Sequence, residues 1–218
     1  MEKLNNVSQR QAVTTLRILY PIWMIVGMFS IMYVPSAIIV SGDAAATANN
    51  ILTNQFLFRS GILGSLLTQL IFIFAVLFLY KLFEPVNKNH SLLMVVLALV
   101  SVPIAMLNTL NLVAALLLLD NAEQMMFFLN LNDKGIIIAS IFWGLWLFPL
   151  GCLIYKSGYF PKIIGIAVII GGFGYLLSSF TNLLIPSQEA LLSIFQIMTF
   201  GEVIFLLWLM VKGAKLPK

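Results

Sequence analysis

The sequence predicts an all-α polytopic membrane helix bundle of six transmembrane helices, a single domain over residues 1–218 with both termini cytoplasmic. Three observations predict it. Of the 218 residues, 61% are apolar and only 9% charged, whereas soluble domains carry roughly 45–50% and about 25%. Six apolar stretches reach the length of roughly 20 residues that a helix needs to cross about 30 Å of hydrocarbon while satisfying its own backbone. Lysine and arginine collect on one side of those stretches.

The first stretch runs from about Leu16 to Val40. Basic residues precede it and Ala44, Ala45 and Ala46 follow, as in a signal peptide, but its apolar run exceeds an h-region of roughly 7–15 residues. It reads as a retained helix. Met24, Met28 and Met32 recur at four-residue spacing within it, which favours ordinary packing over a substrate groove. The following segment, Gly42 to Phe58, mixes apolar and polar residues at near-helical spacing. A short amphipathic helix at the outer interface and a partly ordered loop both fit it.

The second stretch covers about Ser60 to Leu82, and the connection from Phe83 to His90 contains Pro85 and marks a tight hairpin. The third, about Ser91 to Leu119, is long enough to tilt or project past the surface, with a kink expected at Pro103. Asp120 to Lys134 repeats the mixed pattern of the earlier outer loop and leaves the same two readings open. The fourth stretch spans about Gly135 to Tyr155, with a kink expected at Pro149. A short turn, Ser157 to Pro161, leads into the fifth, Lys162 to Ile185. There Ala167 with Gly171, and Gly174 with Ser178, stand four apart; small residues so spaced let helix backbones approach closely. This helix is expected to be central. The sixth stretch covers about Ala190 to Val211. Tyr80-Lys81 and Tyr155-Lys156 close the second and fourth stretches alike, a pattern that interfacial anchoring explains without a repeat.

With the termini inside, Lys3, Arg10, Arg17, Lys81, Lys88, Lys156, Lys162, Lys212, Lys215 and Lys218 fall on the cytoplasmic side and only Arg59 and Lys134 outside. The positive-inside rule then sets the orientation. The basic residues form no block, so nucleic acid is not an expected partner. One cysteine, Cys152, excludes an internal disulfide and a cysteine zinc cluster, and one histidine, His90, excludes a site needing two imidazoles. His90 falls in an inner loop, away from the outer serines, and Cys152 reads as a packing residue. Outer acids are spread over three loops, and no glycine loop follows a strand to cradle phosphate. The sequence therefore implies no catalytic residue, no metal and no cofactor.

Depth along the helices separates the polar side chains. The outer half collects Gln69, Asn108, Asn111, Asn182, Gln196, Thr199 and several serines, while runs such as Leu70 to Leu79 carry no hydroxyl, amide or charge. Amides in hydrocarbon are costly unless paired or hydrated, so these faces should turn toward each other. They either act as hydrogen-bonding glue, at about 0.6 kcal/mol per contact, or line a cavity open to the outside. Glu202 lies about 12 residues below the outer end of its span, roughly 18 Å deep, and is expected to be protonated, hydrogen-bonded or wetted. With Gln196 and Thr199 it sweeps an arc of about 120°. The expected ligand-binding set is Glu202, Gln196, Thr199, Asn108, Asn111, Gln69 and Asn182.

Three blocks, GDAAATANNILTNQFLFR, FWGLWLFPLGCLIYKSGYFPKIIGIAVIIGGFGYLL and GEVIFLLWLMVKG, resemble the prokaryotic Domain of Unknown Function 4386 family over nearly the whole chain, roughly Arg10 to Gly213. The resemblance implies six-helix membrane proteins without an established activity; it lends no catalytic residue and no cysteine motif for Cys152. The residues themselves point to a non-enzymatic, multi-pass cell-membrane protein that binds or senses a small or amphiphilic ligand through an outward-facing polar pocket. A proton-coupled small-molecule transporter using Glu202, and an accessory subunit binding a membrane partner helix, are the alternatives. The lipid bilayer is the partner common to all three.

Overall fold

In the computed structural model, residues 8–217 are described; Lys3 and Lys218 of the charge count lie outside them. The described residues are mostly helical, without a strand among them. The helices are α1 (Gln9–Gly27), a π-helical turn (Met28–Tyr33), α2 (Val34–Ile38), α3 (Ala44–Thr53), α4 (Gln55–Phe83), α5 (Lys88–Asn108), α6 (Leu110–Leu117), α7 (Ala122–Ser157), α8 (Lys162–Leu184), α9 (Glu189–Met198) and α10 (Phe200–Val211). Among the described residues, six helical runs are long and apolar enough to cross a membrane: Gln9–Ile38, Gln55–Phe83, Lys88–Leu117, Ala122–Ser157, Lys162–Leu184 and Glu189–Val211. They are called the first to sixth spans below.

Local chemistry explains where these runs start and bend. Pro35 has no N–H to bond the carbonyl one turn back, and Ser30 donates to the carbonyls of Val26 at 2.8 Å and Gly27 at 3.3 Å. The first span rewinds there into its π turn. Pro103 and Pro149, expected as kinks rather than ends, each lie inside a continuing helix. Both segments expected as outer amphipathic helices or loops are helical. Asp43 Oδ1 accepts from Ala46 N–H at 2.8 Å and caps α3, while Asn121 Oδ1 accepts from Gln124 N–H at 3.1 Å and starts α7 well before Gly135. An asparagine cap also corrects the placement of His90. Asn87 Oδ1 accepts from His90 N–H at 2.9 Å, so His90 sits in the first turn of α5 instead of a loop.

The chain divides into two compact units. One takes in the residues up to Pro21, Ile73–Ser101 and everything from Ile137 onwards. Its framework is α8, held between α7 and α10 by two glycine faces. A Cβ built on Gly144 or Gly172 would stand 2.8 or 2.9 Å from the other's carbonyl oxygen, and Gly151 and Gly165 face each other in the same way at 2.7 Å. On the second face, a Cβ on Gly174 would meet the Phe195 carbonyl at 2.7 Å, and one on Gly201 would overlap the Ala167 carbonyl. Backbone lies against backbone on both sides, as expected of a central helix with small residues. The third face of α8 carries Ile163, Ile166, Ile170, Phe173, Leu177 and Phe180, all exposed at three- and four-residue spacing, a stripe suited to acyl chains.

The other unit comprises Ile22–Phe72 and Val102–Ile136. Its core is a side-chain cluster of Val34, Ile38, Ala48, Ile51, Phe58, Ala115, Met125 and Leu129. The helical segments between the apolar stretches supply much of it: Ala48 and Ile51 from α3, Met125 and Leu129 from the start of α7. Gly61 and Gly64 bring α4 up to Val34 and Ser30 of the first span. The methionine stripe does not pack as expected, since Met28 is 56% and Met32 63% exposed; the π turn carries them outward.

Candidate functional site

Glu202 lies in the first turn of α10, immediately after the turn at Thr199 that joins it to α9. At that step Thr199 N–H donates to Gln196 O and Glu202 N–H to Thr199 O, both at 3.2 Å and both closing three-residue turns. The Thr199 hydroxyl also donates to Gln196 O at 2.7 Å. Gly201 lets this stretch press against α8. The Glu202 side chain is 8% exposed and accepts from the Tyr175 hydroxyl at 3.2 Å.

Two further groups complete this surrounding. Tyr20, from α1, is 2% exposed and lies within electrostatic reach of Glu202; its hydroxyl is buried without a hydrogen-bond partner. Trp143, from α7, meets Tyr175 edge-on with ring centroids 6.2 Å apart. Beyond Tyr175 the polar contacts continue along α8. Ser179 donates to the Tyr175 carbonyl at 2.8 Å and shares a hydrogen bond with Ser140 at 2.7 Å. The result is a buried carboxylate bonded by one phenol, with a second phenol within electrostatic reach.

Of the remaining expected ligand residues in this unit, none bonds Glu202. Gln196 is exposed, Thr199 spends its hydroxyl on its own helix, and Asn182 donates to Ser178 O at 3.0 Å. Gln196 and Glu202 belong to successive helices, α9 and α10, and of the two only Glu202 bonds Tyr175.

In the other unit, Asn108 and Asn111 form a separate amide network. Asn108 Nδ2 donates to Asn132 O at 2.8 Å, Asn132 Nδ2 donates back to Asn108 O at 3.2 Å, and Asn111 Nδ2 donates to Asn108 Oδ1 at 2.8 Å. Gly135 leaves room for the Asn108 side chain, with which a Cβ there would overlap. The network sits beside the turn at Thr109, whose N–H is shared between Ala105 O and Met106 O. Its amides are therefore bonded to one another and to backbone within the unit. Gln69 differs, because its Oε1 is buried without a partner, as is Nε1 of Trp23 in the same unit.

The residues that sequence reasoning missed are Tyr175, Tyr20 and Asn132. Tyrosines in spans read as interfacial anchors, yet Tyr175 stands nine residues from the end of α8, roughly 14 Å along it, and Tyr20 roughly 17 Å from the start of α1. That depth was the available signal. Asn132 was hidden because its segment read as a connection.

A family model described as a domain of unknown function, DUF4386, matches residues 18–213. The chain belongs to the DUF4386 family. The Glu202 surroundings and the asparagine network both fall inside the matched region. An uncharacterized protein of the archaeon Archaeoglobus fulgidus is 35% identical over 140 residues, which cover 64% of this chain and 75% of that protein. No solved structure matches the chain. Membership of DUF4386 brings the six-helix, membrane-like architecture and no established activity.

Proposed function

We propose that this DUF4386 protein is a non-enzymatic binding or sensing protein of the cell membrane, with Glu202 at the centre of a polar site reached from the outer side. One observation carries the reading. Among the described residues, this buried carboxylate, well inside a span, receives one hydrogen bond, from Tyr175, beside a Tyr20 hydroxyl without a partner. A carboxylate offers about four acceptor positions and a phenol one donor. In hydrocarbon, unused polar capacity is costly unless a ligand, water or proton takes it up. Aromatic rings beside a carboxylate favour a protonated amine, through charge and through attraction to the ring faces. The ligand class is accordingly a small amphiphilic amine.

The test uses the full chain in detergent, with phenethylamine and its neutral counterpart phenethyl alcohol as probes. Phenethylamine is expected to raise the thermal midpoint of the wild type and not of Glu202→Gln. An equal response to the alcohol, or an unchanged response in the variant, refutes the reading.

A second reading, proton-coupled transport through Glu202, is supported by the helix step at Thr199. Short three-residue turns inside a span often mark a hinge, and this one adjoins the carboxylate. It predicts amine uptake into proteoliposomes driven by a pH gradient and abolished in Glu202→Gln. Absence of gradient-driven uptake by the wild type sinks it.

A further inference from the structure

The unit built on α8 contains a second feature, independent of Glu202. A cavity of about 360 Å³ is lined by Gly158, Tyr159, Phe160, Pro161, Trp208, Lys212, Gly213, Ala214 and Lys215. The α7–α8 connection and the chain following α10 form its walls. Gly158 and Gly213 both adopt positive φ, at 70° and 72°, which turns each segment back on itself where a β-carbon would be strained. The two segments are then tied together, because Lys215 N–H donates to Tyr159 O at 2.9 Å.

The walls are held from behind as well. Tyr159 and Phe160 pack on the fully buried Phe83, and Phe160 meets Phe205 edge-on. Gln9 Nε2 bonds both the Tyr159 hydroxyl and Leu82 O. Arg17 Nε donates to Met210 O at 3.0 Å, which satisfies the end of α10 and leaves the two lysines of the rim uncommitted. Among the described residues no carboxylate lines the cavity, and the ion pair found is Lys81 with Glu84. The site thus combines a preformed aromatic wall with two ammonium groups, placed at the end of a spanning helix where Trp208 marks the interfacial depth.

We propose that this cavity binds the phosphate headgroup of an anionic phospholipid from the leaflet facing the Lys212 end of the sixth span. Lys212 and Lys215 take the phosphate, and Trp208 with Phe160 takes the glycerol and the start of an acyl chain. Basic pockets beside spanning helices suit such headgroups, and a cavity of this size holds one. A zwitterionic headgroup carries its own ammonium beside the phosphate, which offsets the attraction to two lysine ammonium groups, so the net negative charge is the recognised feature.

The experiment titrates the detergent-solubilised full chain with phosphatidylglycerol, phosphatidylcholine or inorganic phosphate, reading bound lipid by native mass spectrometry and the thermal midpoint in parallel. Phosphatidylglycerol is expected to bind and stabilise, and Lys212→Gln/Lys215→Gln to weaken it roughly 30-fold, from two charge contacts of ordinary strength at a membrane surface. Lys88→Gln/Lys156→Gln, which removes the same charge from exposed positions elsewhere in the unit, is expected to leave binding unchanged. Equal binding of phosphatidylcholine, equal stabilisation by inorganic phosphate, or an equal loss in the charge-matched control overturns the proposal. If the Lys212/Lys215 variant fails to fold, quenching of Trp208 by brominated phosphatidylglycerol decides. The signal must disappear in Trp208→Phe, and its persistence there also overturns the assignment.

Discussion

Two contacts, that of α8 with its neighbours in one unit and the side-chain cluster around Ile51 in the other, cohere by opposite means. Around α8, glycines remove side chains so that backbones touch, and the contacts of Gly144 with Gly172 and Gly151 with Gly165 leave no room for a methyl group. In the other unit, whole side chains interlock, with Ile51 and Met125 fully buried in a cluster of branched and aromatic residues. The difference follows from the solvent each segment faces. Acyl chains are as apolar as leucine, so spanning helices associate through dispersion and close fit. Helix α3 and the start of α7 come from stretches between the apolar runs, where water is the competitor and burial of apolar area itself stabilises.

Removing or adding a methyl group should therefore have opposite consequences at these two contacts. The largest effect is expected from Ile51→Ala, which opens a cavity in the side-chain cluster and should lower stability by about 2–5 kcal/mol in a denaturation series. Ile170→Ala, on the exposed stripe of α8, should change little by the same measurement. Next comes Gly201→Ala, a single added methyl driven against the Ala167 carbonyl, with an expected loss of about 1–3 kcal/mol. If Gly201→Ala is silent while Ile51→Ala is severe, backbone contact is not what holds α8 and α10 together.

Smaller effects sharpen the contrast between the polar elements. Asn108→Ala removes the hub shared by Asn111 and Asn132, and should cost about 1–2 kcal/mol. The same substitution should leave any amine response dependent on Glu202 in place, because the two polar groups belong to different units. Least of all, Lys81→Ala breaks the partly exposed pair with Glu84, 3.6 Å apart, and should change stability by less than about 1 kcal/mol. That residual effect should vanish in high salt.

Much of this was legible in the residues. The spans differ from expectation mainly at their ends, and α7 alone is extended greatly, because an asparagine cap and the buried pair Met125 and Leu129 continue the helix through an apparent loop. Glu202 stood out as a lone acid within an apolar run. Its partners did not, since Tyr175 and Tyr20 come from other spans and tyrosine ordinarily anchors at interfaces. The crowding of hydroxyls pointed to shared polar faces, yet Ser30, Thr68, Ser101, Thr109 and Thr199 bond carbonyls of their own helices. A hydroxyl can satisfy itself one turn back, whereas an amide such as Asn108 cannot and so seeks a neighbouring segment.

The sequence by itself determined the class, the six apolar runs, the small-residue faces of the fifth and the anomaly of Glu202. Transfer into hydrocarbon is summed residue by residue along the chain, so a linear reading captures it. Only the tertiary structure decided that α8 lies between α7 and α10, that Tyr175 bonds Glu202 while Gln196 turns outward, and that the chain after α10 closes a lysine-rimmed cavity with the α7–α8 turn. Those outcomes depend on which helix faces meet and on which backbones can approach, and neither is written in any one stretch of the chain.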